Sequence, residues 1–240
     1  MSGAWVLILL ILLSSLPALV VFLWFKLAKY QFTTAWFLFA LLTGAAAFVP
    51  ALFLQNVLDF SFFHNRAGVF YEHFVRIAFS EELSRLLMLL VFFRINAFFS
   101  HSRNSAGEQL SSVNVVKKAT AAGLVAGLGF ALLENATLAA SDINVLPLRI
   151  VLATAIHGAC GARMGAAAAM LHSNKGKAIL RIFSAIAIHG VYNLLVDIPG
   201  FSQIAAILIA VSALSTAILS IFGGWSGDQM KEAMPARKLS

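Results

Sequence analysis

Two glutamates and an arginine interrupt an otherwise apolar stretch, FSEELSRLLMLLVFF, at residues 79–93. An ionised side chain inside a bilayer costs at least about 2.5–3.5 kcal/mol on insertion scales, so such residues are functional by default. Glu81 and Arg85 have i, i+4 spacing with the acid first, the better order for an ion pair. Glu81 and Glu82 point about 100° apart on a helix. We therefore expect one glutamate to face a shared site and the other to pair with Arg85.

Similar side chains interrupt three further apolar stretches: Glu134 with Asn135, then His157, then His189 with Asn193. Glutamate and histidine are ligands of catalytic zinc, which keeps one position open for water. They are equally the parts of a metal-free site in which a desolvated glutamate is the general base. An amide one turn from a histidine, as Asn193 is from His189, suits a donor to a developing oxyanion. The residue types therefore predict activation of water and leave metal dependence open.

The segments that hold these residues must cross a membrane. Of 240 residues, 60% are hydrophobic and 11% are charged, whereas a soluble domain is about one quarter charged. A hydrocarbon core of about 30 Å needs about 20 apolar residues in a helix. We predict an all-α, polytopic bundle of about seven transmembrane helices, at residues 4–25, 32–54, 70–93, 119–140, 148–171, 178–197 and 201–223. One transmembrane domain, 1–225, precedes a short cytoplasmic tail at 226–240.

Lysine and arginine residues set the orientation. They concentrate on alternate connections, with Lys26 in the first, Lys117 and Lys118 in the third, and Lys175 and Lys177 beside the fifth. By the positive-inside rule the N-terminus lies outside and the C-terminus lies in the cytoplasm. The first run has no basic n-region, so we interpret it as a retained helix. The net charge of +7 is then a topology signal and not a sign of nucleic-acid binding. The polar connection at 94–118 is predicted to be a flexible cytoplasmic loop.

With this orientation the polar groups fall at one depth. At about 1.5 Å per residue, Glu81, Glu134, His157 and His189 lie about 9–17 Å below the outer surface. Scattered charges would not align in this way, whereas a shared site requires it. The single cysteine, Cys160, excludes an intrachain disulfide. We therefore expect four helices to contribute to one site in the outer half of the membrane.

Two other functions use similar residues. Carboxylates and histidines within a membrane also build proton or metal-ion relays, so a coupled transporter is one alternative. Transporters commonly show related halves with broken helices, and no such duplication is visible in this sequence. The other alternative is a non-catalytic membrane scaffold that binds single-pass partners. The complete set of polar residues argues against a scaffold.

Other interruptions of the apolar runs are interpreted as structural. Gly123 and Gly127, like Gly161 and Gly165, have the small-xxx-small spacing that lets membrane helices pack backbone to backbone. Arg163 lies deeper toward the cytoplasm than His157, and we expect it to snorkel or to pair.

The order and placement of four motifs resemble a known family. EELSR at 81–85, GLGFALLEN at 127–135, HGACGARMG at 157–165 and HGVYN at 189–193 are similar to successive motifs of the PrsW family of intramembrane proteases. That family belongs to the wider group that contains the CAAX prenyl endopeptidases. The resemblance covers residues 70–200, and GFALLEN together with HGVYN is its specific part.

The resemblance implies roles for individual residues. Glu81 and Glu82 would supply the catalytic carboxylate, and His189 with Asn193 the second catalytic pair. Glu134 stands where the prenyl endopeptidases have a histidine, and it joins the catalytic candidates. Arg85 departs from the lysine of the family, which keeps the charge but changes the geometry of the pair. The candidate ligands for a metal, zinc if one is bound, are Glu82, Glu134, His157 and His189, with Arg85 and Asn135 in support; a metal-free glutamate mechanism stays open.

The resemblance also implies a substrate and a location. The substrate would be a single-pass membrane protein of the anti-sigma-factor type, cut at site 1 near the outer face. The protein would be integral to the lipid bilayer of a prokaryotic plasma membrane.

Overall fold

The computed structural model describes residues 3–60, 66–101, 112–198 and 201–223, and every regular element among them is helical. The all-α prediction is confirmed for this part of the chain. The predicted tail at 226–240 and residues 102–111 of the predicted loop lie outside the described residues.

The first two apolar runs form membrane-length helices. Helices α1 (Gly3–Ser14) and α2 (Leu16–Leu27) make one span with an interruption at Ser15, where Pro17 starts the second part. Helix α3 (Thr34–Val57) starts with a side-chain cap, because Thr33 Oγ1 accepts a hydrogen bond of 3.1 Å from the Trp36 backbone N–H.

The stretch with the first motif is one continuous helical segment. It runs through α4 (Arg66–Tyr71), a π-helical segment (Glu72–Phe79) and α5 (Ser80–His101). Within the described residues, six helices are long and apolar enough to cross a membrane, and the predicted run at 70–93 is not among them. Five charged side chains interrupt its apolar residues: Glu72, Arg76, Glu81, Glu82 and Arg85.

The remaining helices complete the bundle. Helix α6 (Ser112–Ser141) is followed by a short 3-10 turn (Ile143–Val145), α7 (Leu146–Leu148) and a second π-helical segment (Arg149–Ala153), which leads into α8 (Thr154–Met170). Helices α9 (Lys175–Asp197) and α10 (Phe201–Phe222) follow. The predicted loop at 94–118 is wrong at both flanks, because α5 continues to His101 and α6 already begins at Ser112. Helices that extend beyond the apolar core give no hydropathy signal there.

Helix α6 is the centre of the bundle, and glycines let its neighbours approach. A Cβ on Gly123 would lie 2.1 Å from the carbonyl oxygen of Gly161 on α8. On the opposite side, a Cβ on Gly129 would lie 1.9 Å from the carbonyl oxygen of Leu41 on α3. Such contacts admit only glycine, so the predicted packing role of the α6 and α8 glycines is confirmed. They bring α8, with His157, directly onto α6, with Glu134.

Candidate active site

Glu81 and Glu82 lie fully buried at the start of α5, directly after the first π-helical segment. Gln55 of α3 donates a hydrogen bond of 2.9 Å to Glu81 Oε1. Arg85 donates one of 2.5 Å to Glu82 Oε1. One glutamate thus pairs with Arg85 as expected, but the partner is Glu82 at i, i+3 spacing and not Glu81. Glu81 is the glutamate that faces the shared site.

His189 of α9 is oriented by Glu82. Its Nδ1 lies 2.9 Å from Glu82 Oε1, the same oxygen that Arg85 contacts. The hydrogen-bond network assigns the proton to Nδ1, since an ionised carboxylate only accepts. The lone pair of Nε2 is therefore free, and this atom lies 3.7 Å from Glu81 Oε2.

His157 of α8 is oriented in a parallel way by Glu134 of α6. Its Nε2 lies 2.6 Å from Glu134 Oε2, which also contacts Arg149 Nη2 at 2.7 Å. Its Nδ1 accepts from Arg85 Nη2 at 3.1 Å, so the network places the ring proton on Nε2. The same Nδ1 lies 3.9 Å from Glu81 Oε2.

Two sets of side chains, each with one arginine, one glutamate and one histidine, therefore converge on Oε2 of Glu81. Each imidazole is held on one nitrogen by an arginine-paired glutamate and turns its other nitrogen toward Glu81. The two imidazole rings meet edge to face, with centroids 4.9 Å apart. Phe130 packs against the cluster, with the Arg85 guanidinium 4.6 Å from the centre of its ring.

Asn135 supports the cluster through an arginine. Its Oδ1 accepts a hydrogen bond of 3.1 Å from Arg149 Nε, and its Nδ2 donates one of 3.0 Å to Thr154 Oγ1. Asn135 thereby fixes the guanidinium that contacts Glu134. Arg149 was not among the site residues predicted from the sequence. The available signal was a basic residue just before a motif-bearing helix.

Gln55 is the second site residue that was not predicted from the sequence. It is an amide near the end of the apolar helix α3, and its side chain reaches Glu81 while its carbonyl oxygen accepts from Arg76 Nε at 3.1 Å. A polar residue at this depth in an otherwise apolar run was the available signal.

Asn193 lies one turn beyond His189 on α9 and is half-buried. Within the described residues the structure gives its amide no hydrogen bond to the cluster. It is therefore placed beside the site, with its donors not engaged by Glu81 or by either histidine.

The cluster offers a donor set that fits a divalent metal ion. Single ligand atoms from Glu81, His157 and His189 all lie within 4.8 Å of one another, and Glu81 Oε2 has no hydrogen-bond partner. One carboxylate and two imidazoles are a protein ligand set of catalytic zinc, and a carboxylate behind each imidazole is the usual support. Glu82 and Glu134 occupy those supporting positions. A bound cation would compete with Arg85 for His157 Nδ1, and its binding would require that contact to open.

Comparison with known proteins identifies the family of the chain. No curated protein and no solved structure matches the chain. The family model for the PrsW family intramembrane metalloprotease matches residues 33–219. The match begins with α3, so it includes Gln55 as well as the four motif-bearing helices. The chain therefore belongs to the PrsW family of intramembrane metalloproteases and is a membrane-embedded peptidase.

Proposed function

We propose that the protein hydrolyses a peptide bond of a membrane-anchored protein, with the water activated beside Glu81, His157 and His189. The observation that carries the proposal is Glu81 Oε2, which is buried, has no hydrogen-bond partner, and faces a nitrogen of each histidine. A buried carboxylate oxygen is expensive to leave unpaired, so this arrangement favours a metal ion or a reacting water as its partner.

Zinc is the metal that we propose, held by Glu81, His157 and His189. When bound, it would lower the pKa of its water and polarise the scissile carbonyl. Glu82 and Glu134 hold the two imidazoles in the tautomers that leave a lone pair on the nitrogen nearer Glu81, and Arg85 and Arg149 pair with these carboxylates. Asn193 is the proposed donor to the carbonyl oxygen as negative charge develops there.

The proposed topology has seven crossings, with the N-terminus outside and the C-terminus in the cytoplasm. The segment containing α5 is the third span in chain order and brings the total to seven. The pairing of Glu82 with Arg85 inside the bundle supports a span there despite its charges, because both side chains are fully buried away from lipid. In this orientation Glu81, near the start of α5, and His189, in the last turns of α9, lie in the outer half.

The proposed substrate is a single-pass membrane protein of the anti-sigma-factor type, cleaved near the outer face of a prokaryotic plasma membrane. Family membership and the depth of Glu81 and His189 support this assignment. A site near the outer face suits a bond close to where the substrate helix leaves the bilayer.

The test combines metal analysis with cleavage of a co-expressed single-pass reporter. Glu81→Gln and His189→Gln should lose both the metal, about one zinc per chain in the unmodified protein, and the cleavage. His172→Gln is the matched control, since His172 is an exposed histidine at the opposite end of the bundle. Cleavage by fully metal-free protein would overturn the zinc proposal in favour of Glu81 as general base. Metal uptake with no cleavage of any reporter would favour a transporter over a protease.

A further inference from the structure

Two arginines without acidic partners lie at the end of the bundle away from the active site. We call this the basic end; it is where α6 and α9 begin and where α8 and α10 end. The acidic residues in the described part of the chain belong to the other end or to the site: Asp59, Glu72, Glu81, Glu82, Glu134, Asp142 and Asp197. Arg163 of α8 and Arg181 of α9 form no ion pair with any of them. Their charges are therefore uncompensated by the described protein.

Neutral groups hold the guanidinium of Arg163 in place. It donates hydrogen bonds of 2.9 Å to the carbonyl oxygen of Ala159 and of 2.7 Å to Thr216 Oγ1, and it contacts the carbonyl oxygen of Ala213 at 3.4 Å. These contacts fix its position between α8 and α10. They do not neutralise it.

Arg181 faces the same narrow crevice and is half-buried. Within the described residues its guanidinium has no hydrogen-bond partner, so its donors remain available. The crevice has a volume of about 130 Å³ and is also lined by Thr120, Thr216 and Ser220. The hydroxyls of Thr120 and Ser220 donate to their own helices, so the guanidinium groups are the available donors. Two cations that border one crevice repel each other unless an anion lies between them.

An apolar groove continues from the crevice between α9 and α10. It has a volume of about 340 Å³, it shares Arg163 and Thr216 with the crevice, and its other walls include Ile188, Leu208 and Ser212. Ile188 lies about 10 Å further along α9 than Arg181, toward the middle of the span. The combined cavity is therefore cationic near the basic end and apolar toward the bilayer centre.

We propose that this combined cavity binds an anionic phospholipid, with the phosphate between Arg163 and Arg181 and one acyl chain in the α9–α10 groove. Guanidinium groups bind phosphate oxygens through paired, charge-assisted hydrogen bonds. Basic pockets between membrane helices on the cytoplasmic side are suited to lipid head groups. The division into a cationic and an apolar part matches the two parts of such a lipid. The inference rests on membrane insertion of the bundle with the basic end at the cytoplasmic side, and it does not depend on the proposed proteolysis.

The test measures lipid retention by the purified full-length protein. The protein is stripped of lipid, offered equal amounts of phosphatidylglycerol and phosphatidylcholine, and examined by native mass spectrometry. Wild-type protein should retain phosphatidylglycerol preferentially, and Arg181→Gln should lower that preference about fivefold. Lys177→Gln removes the same charge one turn earlier on α9, from an exposed side chain outside the crevice, and should retain the preference. An equal loss in both variants, or no loss in Arg181→Gln, would overturn the proposal.

A second variant separates a lipid from free phosphate. Ser212→Phe fills the groove and leaves both arginines in place, so it should reduce phosphatidylglycerol retention. Thermal unfolding is then followed with inorganic phosphate as the only added anion. If phosphate alone stabilises wild-type protein as much as phosphatidylglycerol does, and Ser212→Phe changes nothing, the lipid assignment is wrong and the crevice is a free-phosphate site.

Discussion

His189 Nδ1 lies 2.9 Å from Glu82 Oε1, and its Nε2 lies 3.7 Å from Glu81 Oε2, so adjacent glutamates contact opposite sides of one imidazole. The rotation of about 100° between neighbouring helix positions makes this possible. Glu82 orients the ring, and Glu81 shares the space in front of it. Substitution of the two glutamates is thus expected to have different effects on metal binding and on stability.

Glu81→Gln removes the unpartnered oxygen but keeps a group that can bond to Gln55. We expect loss of metal and of cleavage with little change in the unfolding temperature. Glu82→Gln instead leaves Arg85 buried without an anionic partner, which costs about 3–5 kcal/mol of unfolding free energy. It should also weaken metal affinity about 10–100-fold through misorientation of His189. Metal titration and thermal unfolding of both variants test this difference between Glu81 and Glu82. Equal stability losses in the two variants would contradict it.

Arg85 contacts Glu82 and His157 at once, and a lysine cannot serve both with the same geometry. Arg85→Lys should release His157 Nδ1 and tighten metal binding. It should also lower the unfolding free energy by about 1.5–3 kcal/mol, because a charge-assisted hydrogen bond is lost. Arg94→Lys, at an exposed position later on α5, is the control and should change neither quantity. Weaker metal binding in Arg85→Lys would show that Arg85 does not compete with the metal.

Gly127 controls how closely α8 approaches the site. A Cβ at this position would lie 2.0 Å from the carbonyl oxygen of His157, so Gly127→Ala must displace α8. We expect a stability loss of about 1–3 kcal/mol and reduced cleavage. Gly158→Ala is the matched control, since its added Cβ meets nothing closer than 3.5 Å. Cleavage and unfolding are measured for both, and equal effects would exclude a specific role for the α6–α8 contact.

The sequence predicted those features that depend on interactions between residues close together in the chain. Helix identity depends on hydropathy, and the shared level of Glu81, Glu134, His157 and His189 along the bundle depends on the fixed rise per residue, so both could be predicted locally. The loop flanks could not, because helices that continue beyond the apolar core leave no such pattern. The six apolar spans were identifiable for the same reason, and the run at 70–93 was predicted in the same way although the structure does not place it among those six.

The internal contacts of the site were less predictable. The choice of Glu82 over Glu81 as the partner of Arg85 depends on the rotation of α5, which follows a π-helical segment. The contact of Arg149 with Glu134 joins separate helical segments and depends on how they pack. Residue spacing on one helix carries no information about such long-range contacts. Gln55 belongs to the same class, because its partner Glu81 lies on another helix.

Tyr30 gives a pH-dependent prediction outside the membrane-spanning segments. Burial raises its pKa from the ordinary 10.0 to about 12. The unfolded protein therefore ionises Tyr30 near pH 10 while the folded protein keeps it neutral, so stability falls as pH rises through this interval. Tyr30→Phe should show a smaller alkaline loss. It should not be less stable at neutral pH, because the buried hydroxyl has no hydrogen-bond partner. Unfolding temperatures from pH 8 to pH 11, with Tyr71→Phe as control, test this; identical alkaline slopes would contradict it.

Arg149 is expected to act as a positioning residue through Glu134 and His157. Arg149→Gln removes the 2.7 Å contact that fixes Glu134 Oε2. This substitution should lower metal affinity about 10–100-fold. Saturating metal should then restore near-normal cleavage by the variant. Asn135→Ala should give a smaller change in the same direction, because Asn135 reaches Glu134 only through Arg149. Arg66→Gln removes an exposed charge at the same end of the bundle and should leave metal affinity unchanged. If Arg149→Gln abolished cleavage even at saturating metal with its fold intact, Arg149 would contact the substrate directly, and its assignment as a positioning residue would be wrong.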